Sequence, residues 1–163
     1  MLARRRIEPA DVHARVRGRC FICELVAGNP EFEHHVFFDD GVAIAFLNAY
    51  PTLYGQSIVA PREHREQVTR DFALGEYLEL QAVVHRVGEA LRRVVPTERL
   101  YVASLGSKQA HRHVHWHVAP LPPGVPFERQ QLAALAWETE GILDVLDEEL
   151  SALAARLRSE LRV

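Results

Sequence analysis

Four histidines at alternating positions near residue 115 are the clearest chemical signal in this chain. His111, His113, His115 and His117 are each separated by one residue. Side chains two positions apart in a strand share one face, so we expect all four imidazoles to project from the same side of a sheet. Imidazoles on one rigid surface could hold a metal ion, supply a nucleophile with its helpers, or form a solvated edge.

Cys20 and Cys23 form a second group of residues that could do chemistry. They are the only cysteines of the chain, and two residues separate them. Two thiolates at this spacing supply half of a tetrahedral zinc site, and histidines would have to complete it because there is no second cysteine pair. From the cysteines alone, a pair of reduced, partly buried thiols is an equally good interpretation.

The segments that must position these residues predict a mixed α+β chain. Short apolar runs bounded by turn residues are typical of strands, and apolar residues at three- and four-residue spacing are typical of an amphipathic helix. We predict helices at 8–18, 20–27, 72–95, 128–137 and 146–161, and strands at 35–38, 42–48, 56–60, 100–105 and 112–119. This order indicates an antiparallel five-stranded sheet with a long helix on one face and additional terminal helices.

Composition narrows the classes of protein that fit. The 163 residues are 48% hydrophobic, which predicts one domain with a substantial core. The net charge of −3 provides no broad basic field for nonspecific nucleic-acid binding. There is no apolar run of membrane-spanning length, no apolar stretch behind the N-terminal arginines, and no disulfide framework. We therefore expect a cytoplasmic protein with neither a membrane nor a specific nucleic acid as its partner.

Several motifs together resemble one known family. The alternating run at 113–119 resembles the signature of the histidine triad (HIT) family, in which three histidines alternate with apolar residues. The segments 46–51 and 55–61, the latter followed by His64, are similar to the second and third strands of that family. The Cys20–Cys23 pair is similar to one carried by many bacterial members.

The resemblance covers roughly residues 20–120 and implies a HIT-like α+β fold. We divide the chain accordingly into an N-terminal extension at 1–19, a HIT-like catalytic domain at 20–127 and a C-terminal helical extension at 128–163 packed on the same domain. Family members commonly pair across a two-fold axis, so the resemblance also implies a homodimer.

The function implied by the resemblance is that of a nucleotide-binding hydrolase or nucleotidyltransferase. The middle histidine of the family signature, here His115, is the nucleophile; a neutral imidazole suits attack on phosphorus. His113 and His117 flank it, and His117, Gln109 and the backbone of 106–109 are candidates to hold the phosphate oxygens. Substrates would be a nucleoside phosphoramidate, an adenylylated metabolite or a dinucleoside polyphosphate, with AMP or another purine nucleoside monophosphate as product.

The resemblance also implies residues for the nucleoside and for zinc. Asn48 stands where the family binds the ribose hydroxyls, and Ser104 is matched to a substrate-contacting asparagine. The positions that match the base pocket are Phe21, Ile22, Leu25 and Leu47. A structural zinc would be held by Cys20, Cys23, His64 and His113, and we expect no organic cofactor.

Departures from the family pattern keep alternatives open. Ala110 stands where a serine or threonine often contacts the phosphate or leaving group, and Gln56 replaces a common histidine. A slow or inactive nucleotide-binding regulatory or scaffold protein is therefore one alternative. A dinucleoside polyphosphate phosphorylase is another, because it differs only in the acceptor. A hydrolase with three histidines around an exposed metal is a third, although no acidic base lies near the motif.

Overall fold

The computed structural model describes residues 2–162 and has a central five-stranded antiparallel sheet in the order β2-β3-β4-β6-β5. The strands are β1 (Arg4–Arg5), β2 (Val36–Asp39), β3 (Ala43–Leu47), β4 (Ser57–Pro61), β5 (Arg99–Ala103), β6 (Trp116–Leu121) and β7 (Ile142–Leu143). The helices are α1 (Pro9–Val16), α2 (Phe21–Val26), α3 (Leu74–Val94), α4 (Gln130–Leu135), α5 (Trp137–Glu140) and α6 (Asp147–Leu161). The predicted mixed fold, with its antiparallel sheet and long helix, is confirmed.

Strand β3 shows how the two faces of the sheet are divided. All five of its residues are buried, because both faces of the sheet are covered at this point. Ala45 and Leu47 point into the core beneath α3 and α6, whereas Ile44 and Phe46 point into a second cluster with Ile22 of α2. The first face forms the main core with α3 and α6, and the second packs against α2.

The long helix α3 begins and ends where its sequence predicts. The Glu76 carboxylate accepts a hydrogen bond of 2.8 Å from the backbone N–H of Ala73, which stabilises the first turn. Pro96 follows directly after the last turn and cannot continue the helix. Leu91 of α3 and Leu157 of α6 are both fully buried in the same core, so the C-terminal helix α6 packs on the same core as α3.

The prediction of one continuous strand through all four histidines is wrong in its first half. Strand β6 begins at Trp116, which pairs with Val59 of β4. Upstream of it the backbone leaves the ladder: Val114 donates its N–H to the carbonyl of Arg65 at 2.7 Å. His111 adopts a left-handed conformation with φ of 55°, which turns the chain away from the sheet. The imidazoles of the run consequently point to different neighbours.

A two-stranded sheet beside the cavity described below joins the N-terminal segment to the segment between α5 and α6. Arg4 of β1 pairs with Leu143 of β7. The Arg4 guanidinium also donates to the carbonyl of Thr52 at 2.8 Å and to that of Gly141 at 3.1 Å. These short strands carry no periodic pattern, and the sequence did not predict them. Within residues 2–162, no helix combines the length and apolarity needed to span a bilayer.

Candidate active site

A cavity of about 380 Å³ opens beside His115 and His117. Its wall is built from both ends of the chain as well as from the sheet. The N-terminal helix α1 contributes Val12, His13, Arg15 and Val16; the sheet side contributes Phe21, Phe32, His34, Asn48, Tyr50 and Gln56; the C-terminal helices contribute Ala134, Leu135, Trp137 and Glu138. A volume of this size falls in the range of small-molecule sites.

The imidazole of His115 is held in one tautomer. Its Nδ1–H donates to the carbonyl oxygen of His113 at 2.7 Å, and a carbonyl can only accept, so the lone pair of the ring is on Nε2. The side chain is 4% exposed. Burial lowers the pKa of His115 and the charge of His111 lowers it further, although the bond to the carbonyl opposes both effects. A neutral imidazole with a free Nε2 at a cavity wall is suited to nucleophilic attack.

His117 provides a second neutral imidazole next to the first. The centroids of the two rings are 5.0 Å apart. Burial, followed by the nearby charges of His115 and His111, lowers the pKa of His117 to about 3. Its Nδ1 is buried without a hydrogen-bond partner in the part of the chain that the structure describes. Such an atom usually has a ligand or water partner, and His117 faces the cavity.

The loop from Gly106 to Ala110 packs closely against the histidines. A Cβ atom at Gly106 would lie 2.7 Å from the carbonyl oxygen of His111 and 3.9 Å from Cε1 of His115, so only glycine fits. The Ser107 hydroxyl accepts from the backbone N–H groups of Gln109 and Ala110, both at 3.2 Å. The N–H of Ser107 itself donates to Ala110. These N–H groups are therefore engaged within the loop, and the hydroxyl of Ser107 lies beside Ala110.

The structure brings only part of the predicted nucleotide-binding set to the cavity. Phe21 and Asn48 line it, whereas Gln109 does not. Ile22 is fully buried behind the wall, and Leu25 packs against the same cluster. Leu47 points to the other face of the sheet, into the core under α3, because it alternates with Phe46 along β3; it does not line the cavity.

Ser104 also lies behind the cavity. Its hydroxyl donates to the carbonyl oxygen of His115 at 2.8 Å, so it fixes the backbone of that residue.

The wall contributed by α1, α4 and α5 was missed at the sequence level. Val12 and Leu135 lie far from the histidine run in the chain, and no spacing rule connects them to it. His34 and Tyr50 were also missed, although both stand close to predicted site residues in sequence. His34 donates its Nδ1–H to the carbonyl of Phe32 at 2.7 Å, and burial lowers its pKa.

Cys20, Cys23, His64 and His113 come together on the far side of His113. Their four donor atoms lie within 4.8 Å of one another. Nδ1 of His113 is 3.4 Å from Sγ of Cys20, and Nδ1 of His64 is 3.3 Å from Sγ of Cys23. Burial and the neighbouring thiol raise the pKa of Cys23 to about 12. The Cys23 thiol therefore needs a cation before it ionises, and two sulfurs with two ring nitrogens are a zinc donor set.

The opposite ring nitrogens of both histidines also have partners. Nε2–H of His113 donates to the carbonyl of Pro61 at 2.8 Å, and Nε2–H of His64 donates to the Glu66 carboxylate at 3.2 Å. Both bonds leave the Nδ1 lone pairs directed at the thiols, which is the outer-shell arrangement of zinc-binding histidines. The four residues fit a structural zinc ion.

Comparison with known proteins gives the family. No family model matches the chain. An uncharacterized HIT-like protein of Mycoplasma genitalium is 30% identical over 107 residues, which span 62% of this chain and 72% of the relative. The chain belongs to the histidine triad family. An adenosine 5'-monophosphoramidase of Schizosaccharomyces pombe is 24% identical over 132 residues, 73% of this chain and 94% of that relative.

A solved HIT structure agrees with the fold. The zinc-bound histidine triad family protein from Mycobacterium smegmatis is 20% identical, with a TM-score of 0.66 over 88% of this chain and 94% of that one. The part of this chain that aligns with the solved structure is longer than residues 20–120, which carry the family motifs. The Cys20–Cys23 pair agrees with the expected cysteine-containing bacterial branch of the HIT family.

Proposed function

We propose that this HIT protein is a nucleotidyl hydrolase or transferase that forms a covalent nucleotidyl adduct on His115. The observation that carries the proposal is the bond from Nδ1–H of His115 to the carbonyl of His113, because it fixes the lone pair on Nε2 at the cavity. Burial keeps the ring neutral near pH 7. The nucleophile therefore needs no separate base to remove a proton before it attacks.

The reaction would proceed in two displacements at the α-phosphorus. In the first, the Nε2 lone pair of His115 forms a P–N bond while the bond to the leaving group breaks, and the leaving group departs with that electron pair and takes up a proton from solvent. The ring then carries positive charge, which strengthens its bond to the His113 carbonyl. In the second, water attacks phosphorus, the P–Nε2 bond breaks, the nucleoside monophosphate is released and a proton goes to solvent.

Side chains rather than backbone N–H groups are the candidates to bind the phosphate oxygens. The backbone N–H groups of Ser107, Gln109 and Ala110 are engaged within their loop, so they are poor candidates for an oxyanion site in this state. His117 has a buried Nδ1 without a protein partner, and it lines the cavity next to His115. We assign the nonbridging oxygens to His117 and the leaving-group side to the hydroxyl of Ser107, which takes the place of the hydroxyl missing at Ala110.

The nucleoside end is assigned to Asn48 and Phe21. Oδ1 of Asn48 accepts from the backbone N–H of Tyr50 at 3.1 Å, which leaves the amide N–H groups to donate to ribose oxygens. The rings of Phe21 and Phe32 line the cavity and offer faces or edges to a base. Ile22 and Leu25 support this wall from behind. An adenine base is consistent with the monophosphoramidase relative from S. pombe, which acts on an adenosine compound.

Zinc at the Cys20–Cys23–His64–His113 cluster would have a structural role. It would join α2 to the segment that precedes β6, and it would fix the ring and backbone of His113, whose carbonyl orients His115. The zinc-bound HIT protein from M. smegmatis supports the assignment of the metal.

We also propose that the protein is a homodimer. Strand β5 is an edge of the central sheet, and Val102 on it is 49% exposed. An uncovered edge strand is a ready surface for pairing with a second copy. Sedimentation velocity over a hundredfold concentration range tests this; a monomer throughout that range would contradict it.

The test of the function is intact-protein mass spectrometry within seconds of mixing with an adenosine phosphoramidate. We expect an adduct of one adenylyl mass, or rapid release of AMP, with the natural chain and neither with His115→Asn. His85→Asn, on the exposed side of α3, is the matched control and retains the wild-type result. If a folded sample binds AMP but gives neither adduct nor turnover on this substrate or on a dinucleoside polyphosphate, the chain is a nucleotide-binding protein.

A further inference from the structure

Arg15 places a positive charge in the cavity wall next to the proposed ribose site. Its Nη1–H donates to the hydroxyl of Tyr50 at 3.2 Å, and its guanidinium carbon is 5.9 Å from the centre of the Tyr50 ring. The backbone N–H of Tyr50 in turn donates to Asn48. A single residue therefore connects the guanidinium to the side chain that the proposed function assigns to ribose.

Within the described part of the chain, the charge of this arginine is not paired with a carboxylate. Among the residues from 2 to 162, Arg15 forms no ion pair, whereas Arg19 near the same wall pairs with Glu31 at 2.8 Å. The charge of Arg15 also reaches the cavity interior, since it adds to the lowering of the pKa of His34 after the effect of burial. Glu138 of α5 is the acidic residue of the wall, and it forms no ion pair with Arg15.

The side chain of Asn48 also favours an anion at this end of the cavity. A carboxylate at a ribose site accepts from the hydroxyls and repels a phosphate, and dinucleotide-binding proteins that take a phosphorylated ribose have an arginine nearby instead. Here the side chain is a neutral amide that lines the cavity; its oxygen accepts from the N–H of Tyr50, and its own N–H groups remain to donate. Amide donors and an unpaired guanidinium together form an environment for an anion.

We propose that this site accepts nucleotides whose ribose carries a phosphate on its 2' or 3' oxygen, with Arg15 and Asn48 binding that phosphate. The inference rests on the proposed function, because it takes Asn48 as the ribose contact and leaves the 5' phosphate at His115. The ribose phosphate is a recognition element and undergoes no bond change. Arg15 is thus a specificity-determining residue on a helix outside the stretch of the chain that carries the family motifs.

Isothermal titration calorimetry with three ligands tests the proposal. AMP, adenosine 3',5'-bisphosphate and adenosine 2',5'-bisphosphate are compared at low ionic strength, where an exposed charge pair is least screened. We expect at least one bisphosphate to bind about fivefold more tightly than AMP, the scale of a single partly exposed ion pair. Arg15→Gln removes this preference, and Arg15→Lys retains part of it.

Arg17→Gln is the matched control, because it removes the same charge from the same end of α1 but lies outside the cavity wall. It retains the preference for the bisphosphate. Asn48→Asp places a carboxylate at the ribose and turns the preference toward AMP. Circular dichroism of each variant establishes that α1 and the rest of the fold are intact.

The outcomes separate this inference from the proposed function. Equal binding of all three ligands by the natural chain, or a preference that survives Arg15→Gln, overturns the inference while adduct formation at His115 still stands. If AMP itself does not bind and no adduct forms, the proposed function fails, and this inference fails with it.

Discussion

Burial of His117 in neutral form makes the stability of the fold depend on pH. Its pKa lies at about 3 in the folded chain, against 6.5 as the ordinary value for histidine. The unfolded chain therefore binds a proton at this residue as the pH falls through 6.5, and the folded chain does not until about pH 3. The contribution of His117 to the free energy of unfolding is full above pH 6.5 and is lost progressively between these two values.

The size of the effect follows from the two pKa values. One pKa unit corresponds to about 1.4 kcal/mol. Between pH 7 and pH 5, an unfolded histidine with a pKa of 6.5 takes up nearly a full proton while the folded ring takes up almost none. Because the unfolded chain binds more protons than the folded chain, the free energy of unfolding falls by about 2 kcal/mol over this range. This is a large share of the stability of a typical domain.

The measurement is urea unfolding at pH 7, 6 and 5 for the natural chain and for His117→Gln, both with the same zinc supplement. Other buried histidines, including His113, contribute equally to both proteins, so their effects cancel in the difference. We expect the natural chain to lose about 2 kcal/mol more than the variant between pH 7 and pH 5. His85→Gln, at an exposed position, is the control and follows the natural chain. Parallel pH curves for wild type and His117→Gln would refute the reasoning.

Three further changes probe the loop, the metal site and the core. Gly106→Ala forces a side chain within 2.7 Å of a backbone carbonyl, and we expect single-turnover adduct formation to slow about 100-fold, with Gly75→Ala unchanged because its surroundings are open. Cys23→Ser removes one zinc donor; mass spectrometry under native conditions should show one zinc ion per natural chain and none on the variant, which also melts at lower temperature. Leu157→Ala empties a fully buried position between α6 and α3 and should cost about 2–5 kcal/mol in urea unfolding, whereas Leu146→Ala, 74% exposed, should change it by less than about 0.5 kcal/mol. A zinc-loaded Cys23→Ser chain, or equal losses in the two leucine variants, would contradict these expectations.

The elements with strong periodicity were predictable from sequence. The apolar face of α3 repeats every three or four residues, and Pro96 marks its end, so the helix was found to within two residues at each end. The histidine run was only half predictable. Its alternation satisfies a strand over all four residues, but pairing with β4 begins only at Trp116. Upstream of it, the N–H of Val114 donates to the carbonyl of Arg65 and the carbonyl of His115 accepts from the Ser104 hydroxyl, so tertiary contacts replace the ladder.

The candidate site was predictable where chemistry depends on residues close in sequence. Cys20 and Cys23 required only their spacing, and the resemblance supplied His64 and His113, which the structure places with them. The roles of these residues remain predictions. The outer wall was not predictable, because its position depends on contacts between distant segments. Nothing in the local sequence around Arg15 shows that α1 covers the same cavity as Trp137.

The pairing of β1 with β7 has a consequence for the order in which the molecule can form. The contact from Arg4 to Gly141 joins positions 137 residues apart, so almost the whole chain must be synthesised before α1 can be fixed over the cavity. Contacts of such long range form late, because the entropy of closing the loop must first be overcome by the rest of the core. The central sheet and α3 can therefore assemble around an open cleft. We therefore expect the closure of this cleft, and with it a complete binding wall, to come late in folding.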